Sequence, residues 1–229
     1  MKSAKSVGRI IGAMLLLQLA GLIVPFVLLL PLTKGPAYFL ANAAGASLQV
    51  KVAVFLLFVN CALTIGISIL AWPIFRQYSS ALALLLVVVS TIMFSLQAAD
   101  NAHVLSILSL SQQYVQSGGP VELFQTLAAM IGSTRKWTHY SELLVIDAWI
   151  FLLYSLLYYF KLVPRALAAF GLLTVVLHFT GITLPLFLGY QSMTLMGATM
   201  ALSQLALVLW LIVKGFAEQP HWTDAAQSA

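Results

Sequence analysis

Stretches of about 20 apolar residues, the length at which an α-helix crosses roughly 30 Å of hydrocarbon, recur along this 229-residue chain. Six can be cut out, near 10–30, 52–74, 81–99, 142–160, 166–190 and 193–213. Inside a bilayer every backbone N–H and C=O needs a partner from the protein itself. Long continuous apolar runs, without the alternation of barrel strands, therefore predict helices. Composition agrees, with 62% apolar and 7% charged residues and a mean hydropathy of +1.01, where soluble domains carry about a quarter charged residues. The expected fold is all-α: a polytopic transmembrane helical bundle of about six spans, forming a single transmembrane domain over 1–229.

The first run follows Lys2, Lys5 and Arg9 but is too long for the apolar core of a signal peptide, so it reads as a retained span. The connections are short except near 105–138. There Ser117-Gly118-Gly119-Pro120 is a turn signal, and Phe124, Leu127 and Ile131 have the spacing of an amphipathic helix lying on the outer surface. The tail AEQPHWTDAAQSA reads as a short polar end.

Orientation follows from the cations. With the N-terminus inside, Lys2, Lys5, Arg9, Arg76, Lys161, Arg165 and Lys214 fall on the cytoplasmic side, and Lys34, Lys51, Arg135 and Lys136 on the outer side. This bias predicts cytoplasmic termini and an inner-membrane location. The net charge of +5 then points to anionic lipid as its partner, with no nucleic acid required. The oligomeric state is left open by the sequence.

Polar residues within such spans tend to face protein or water, and here they recur at helical spacing. Gln18, Gly21 and Pro25 form one stripe. Asn60, Thr64 and Ser68 form a second, Ser90, Gln97 and Asn101 a third with Asp100 beside it, and Thr174, His178, Gly181 and Pro185 a fourth. At about 1.5 Å per residue, Asn60 lies roughly 13 Å and Asp147 roughly 8 Å from the outer ends of their spans, and His178 about 18 Å from the inner end. The polar groups are thus expected to gather in the outer half of the bundle. Asn60, Gln97, Asp100, Asn101, Asp147 and His178 are the candidate ligand-binding residues.

Two short motifs offer chemistry. Asp100 and His103 form D-x-x-H, and His139 and Glu142 form H-x-x-E. Each i, i+3 spacing brings two ligating groups to one helix face, as in the E-x-x-H pairs of carboxylate-bridged metal bundles. Asp100, His103, His139 and Glu142 are therefore a candidate divalent-metal set with an open position for an activated water. The same residue types also cap helix ends at the membrane interface. Asp147 and His178 form a second candidate pair, for proton relay, for ligand contact, or as a packing hydrogen bond.

Other chemistries are excluded by what is missing. Cys61 is the single cysteine, so there is no disulfide or CxxC chemistry. Only His178 is deep in a span, with His221 in the tail, too few for the paired axial ligands of a two-haem bundle. Gly8 and Gly12 form G-x-x-x-G, which permits close helix contact.

The segments GRIIGAMLLLQLAGL, ILAWPIFRQYSSALALL and above all LLYYFKLVPRALAAFGLL resemble the bacterial membrane proteins grouped as domain of unknown function 4386. The resemblance covers most of the chain and implies a six-helix inner-membrane protein of unassigned activity, with no catalytic residues to carry over. Polar stripes among apolar walls are what small-ligand pockets use. The expected function is binding or moving a small apolar or amphipathic molecule in a cavity open to the outer side. The alternative is a membrane-embedded enzyme, metal-assisted or acid–base. No cofactor is expected beyond the candidate divalent metal.

Overall fold

The computed structural model describes residues 3–32, 34–117, 119–190 and 194–217. Among these all the regular structure is helical: α1 (Ala4–Leu29), α2 (Pro36–Asn42), α3 (Ser47–Phe75), α4 (Ser80–Ser117), α5 (Val121–Tyr159), α6 (Arg165–Leu188) and α7 (Thr194–Lys214), with a 3-10 turn at Leu30–Leu32. Helices α1, α3, α4, α5 and α6 are long and apolar enough to cross a membrane, and α7 contributes a shorter apolar stretch, Ala198–Lys214. The protein is a multi-pass helical bundle. Large apolar side chains stay uncovered along these helices, among them Leu22, Ile23 and Phe26 on α1 and Leu173 and Val176 on α6, the surface that meets lipid.

The segment 105–138 departs from the expected connection. Helix α4 continues to Ser117 and α5 begins at Val121, so all but a few residues are helical. Hydroxyl side chains are accommodated within both helices. Ser106 and Ser109 on α4, and Thr126, Thr134, Thr138 and Ser141 on α5, each donate to the carbonyl four residues back. The turn signal falls between the two helices, and the helix expected around Phe124, Leu127 and Ile131 lies within α5. Pro120 stands just before α5, where a missing N–H costs nothing. Gly118 of the turn signal, His221 and most of the C-terminal tail lie outside the described residues.

The helices divide into two compact units. One comprises the described residues of Met1–Leu17, Gly66–Val89 and Ile146–Ala229, the other Gln18–Ile65 and Ser90–Val145. In the first, Gly8 and Gly12 let α1 approach the end of α7. A Cβ on Gly12 would lie 2.8 Å from Leu211 Cβ and 2.9 Å from Ile212 N, and one on Gly8 would overlap Phe216 N. Arg9 Nη2 donates to Val213 O at 3.1 Å, satisfying a last-turn carbonyl of α7. Trp149 Nε1 donates to Ser68 Oγ at 2.9 Å, and Tyr154 OH to Ser203 Oγ at 3.4 Å. Helix α6 ends on Gly189 at φ 73°, a left-handed cap suited to glycine.

In the second unit, Leu29, Phe39, Ala43, Val50, Val54 and Val104 belong to one buried apolar cluster. The short α2 starts with Pro36 after Gly35, whose φ of 126° needs a glycine. Its far end is held by Ser111 of α4, which donates to Leu40 O at 2.6 Å and accepts from Ala44 N at 2.9 Å. Gln18 Nε2 donates to Thr64 Oγ1, so the predicted polar stripes of α1 and α3 face each other here.

Candidate functional site

Two helix stripes in the second unit create the site. On α5, Gly132, Arg135, Lys136, His139 and Tyr140 follow the i, i+3, i+4, i+7, i+8 pattern of one helix face. On α4, Asp100, Val104 and Ile107 follow i, i+4, i+7. Gly132 allows close approach, since a Cβ there would stand 2.8 Å from Pro36 Cγ. Between these elements lies a cavity of about 240 Å³. Its apolar walls are Leu32, Pro36, Phe39, Val104 and Ile107; its polar lining comes from Arg135, Lys136, His139 and Tyr140.

Arg135 is fixed by Asp100. Arg135 Nη2 donates to Asp100 Oδ2 at 3.4 Å, and Arg135 Nε stands 3.3 Å from Asp100 Oδ1. That second approach is misdirected for a hydrogen bond, leaving both Nε and Oδ1 buried without one. Asp100 is 2% exposed and Arg135 28%, so the pair joins a buried carboxylate to a guanidinium with access to the cavity.

The metal candidates come together in part. One ligating atom each from Asp100, His139 and Glu142 lies within 4.8 Å of the other two. Two ionised carboxylates at or inside that separation repel by at least about 3 kcal/mol at an effective dielectric of about 20. His139 Nδ1 is 3.8 Å from Glu142 Oε2, the contact expected from H-x-x-E. His103 stands outside this trio; it is half-buried, and its Nδ1 has no hydrogen-bond partner. His139 and Glu142 have the same i, i+3 spacing and do meet, so spacing alone does not bring His103 into the trio.

The remaining polar candidates serve several roles. Gln97 Nε2 donates to Asn101 Oδ1 at 3.1 Å, and Asn101 Nδ2 to Val54 O at 3.3 Å. Cys61 Sγ lies 3.8 Å from Gln97 Oε1. Gln97 and Asn101 therefore tie α3 to α4, and neither lines the cavity. Asn60 Oδ1 is buried without a hydrogen bond, in the space a Cβ on Gly21 would enter at 3.0 Å. Asp147 and His178 belong to the other unit, where His178 Nδ1 meets Asp147 Oδ1 at 2.6 Å and Asp147 Oδ2 is left without a partner.

Arg135 and Lys136 are the residues that sequence reasoning placed elsewhere, as cations of an outer loop. The pattern G-x-x-R-K-x-x-H-Y over 132–140 was the available signal, a helical stripe inside a polar segment.

No curated protein and no solved structure matches this chain. The family model described as "Domain of unknown function (DUF4386)" matches residues 10–215, which takes in all the helices that carry these groups beyond the first turns of α1. The chain belongs to that family.

Proposed function

We propose that this protein binds the head end of a small anionic amphiphile in the cavity of the second unit, as a step in holding or moving such molecules at the membrane. The observation that carries the reading is the make-up of the lining. Apolar side chains cover one part, and Arg135, Lys136 and His139 gather on another. Pockets for amphiphiles combine apolar walls with a few placed polar groups. A guanidinium offers forked donors suited to carboxylate or phosphate. Arg135 is held by Asp100 on one side only, and a second anion completes its donor set.

Tail-matched probes test this: octyl phosphate, octyl glucoside and octyltrimethylammonium, added to the protein in zwitterionic-lipid nanodiscs. Thermal unfolding is followed. Stabilisation by the phosphate probe alone is the expected result. Equal responses to all three heads would refute a charge-selective site.

A second reading is an acid–base membrane enzyme centred on Asp147 and His178. The 2.6 Å contact through Nδ1 favours it, since a carboxylate that fixes one imidazole nitrogen directs the other towards proton transfer. Loss of a chemical step in Asp147→Asn, with binding retained, is its required signature.

A further inference from the structure

We propose that Asp100, His139 and Glu142 form a binding site for one divalent first-row metal ion, a site that shares His139 with the cavity lining. The three residues come from two helices, α4 and α5. They already hold one donor atom each within 4.8 Å of the others. Metal–ligand bonds of about 2.0–2.2 Å would draw these atoms together by roughly an ångström, a shift that side-chain rotation supplies.

A second observation points to a cation at this place. Asp100 Oδ1 is buried and makes no hydrogen bond, in a side chain only 2% exposed. Glu142 is also buried, at 3% exposure, with His139 Nδ1 at 3.8 Å, beyond hydrogen-bond reach. Arg135 brings one positive charge to Asp100, which leaves two carboxylates sharing one guanidinium. Buried charge is retained when it is paired or coordinates a metal. An ion among the three atoms would neutralise the Asp100 and Glu142 carboxylates together, where Asp100 Oδ1 otherwise faces only the misdirected Arg135 Nε at 3.3 Å.

The donor set narrows the ion. One imidazole and two carboxylates, with no thiolate in the group, suit Zn²⁺, Mn²⁺ or Fe²⁺ and disfavour Cu⁺. Three protein donors leave at least one coordination position for water or an anion. His103 shares the D-x-x-H motif but stands outside the trio, so it serves as the neighbouring control.

The test is metal binding by the full chain, stripped with chelator in nanodiscs and loaded with Mn²⁺ or Zn²⁺ alone. Bound metal is read by elemental analysis, and free Mn²⁺ by its paramagnetic resonance signal. The expected result is one ion per chain in the wild type and in His103→Ala, with binding weakened at least about tenfold in Glu142→Gln and Asp100→Asn. His139→Gln serves if either acidic variant fails to fold. A wild type that binds well below one equivalent overturns the proposal. So does wild-type affinity in any folded variant of the trio, or loss of binding in His103→Ala.

Discussion

Arg135 Nη2 donates to Asp100 Oδ2 at 3.4 Å, linking positions 35 residues apart and joining α4 to α5. The buried carboxylate orients the guanidinium, which in turn keeps the carboxylate from being stranded. Arg135→Gln should therefore lower stability by about 1–3 kcal/mol, since removing one member leaves a buried charge without its partner. Adding Asp100→Asn to that variant should restore part of the loss. Denaturant unfolding of the single and double variants measures the coupling, and strictly additive losses would argue against a functional pair.

The G-x-x-x-G contact of the first unit makes a separate prediction. Gly12→Ala places a methyl group 2.8 Å from Leu211 Cβ and 2.9 Å from the backbone nitrogen of Ile212. Backbone cannot rotate aside as a side chain can, so α1 and α7 must separate, at a cost of about 1–3 kcal/mol. Gly45→Ala is the matched control, because its methyl meets only Asn42 O at 3.7 Å. Melting temperatures in one detergent compare the two; a Gly12→Ala protein as stable as Gly45→Ala would show that close approach is not required.

For Asp147 and His178, a double-mutant cycle with Asp147→Ala and His178→Ala should give a coupling of about 1 kcal/mol, the usual scale of interhelical hydrogen bonds in membranes. The 2.6 Å contact is the basis. Zero coupling would mean that the pair does not hold α5 to α6.

Hydropathy and its period made most of the helices legible, because a bilayer permits few alternatives to an apolar helix. Helix length within polar sequence was not legible. Ser106 and Ser109 read as part of a connection, yet they lie within α4 and their hydroxyls return to carbonyls four residues back. Reading 105–138 as a connection also hid Arg135, whose charge is met by Asp100 on another helix. Pairings of that kind depend on which helices are neighbours, and no spacing within one segment encodes them. The H-x-x-E contact was legible because both residues share a helix, whereas D-x-x-H shows that shared spacing does not by itself bring rings and carboxylates together.

The affinity of octyl phosphate for four forms of the protein in zwitterionic nanodiscs tests the central claim most directly. The forms are the wild type, Arg135→Gln, Lys136→Gln and Gly132→Leu. Lys136→Gln leaves the Arg135–Asp100 pair intact, while Gly132→Leu adds bulk where a Cβ already meets Pro36 at 2.8 Å. A charge-assisted hydrogen bond is worth about 1.5–3 kcal/mol, so Arg135→Gln should weaken binding about tenfold or more. Lys136→Gln should weaken it less, and Gly132→Leu should abolish it. Unchanged affinity in Arg135→Gln and Gly132→Leu would contradict the account, because the probe would then be bound somewhere other than this cavity.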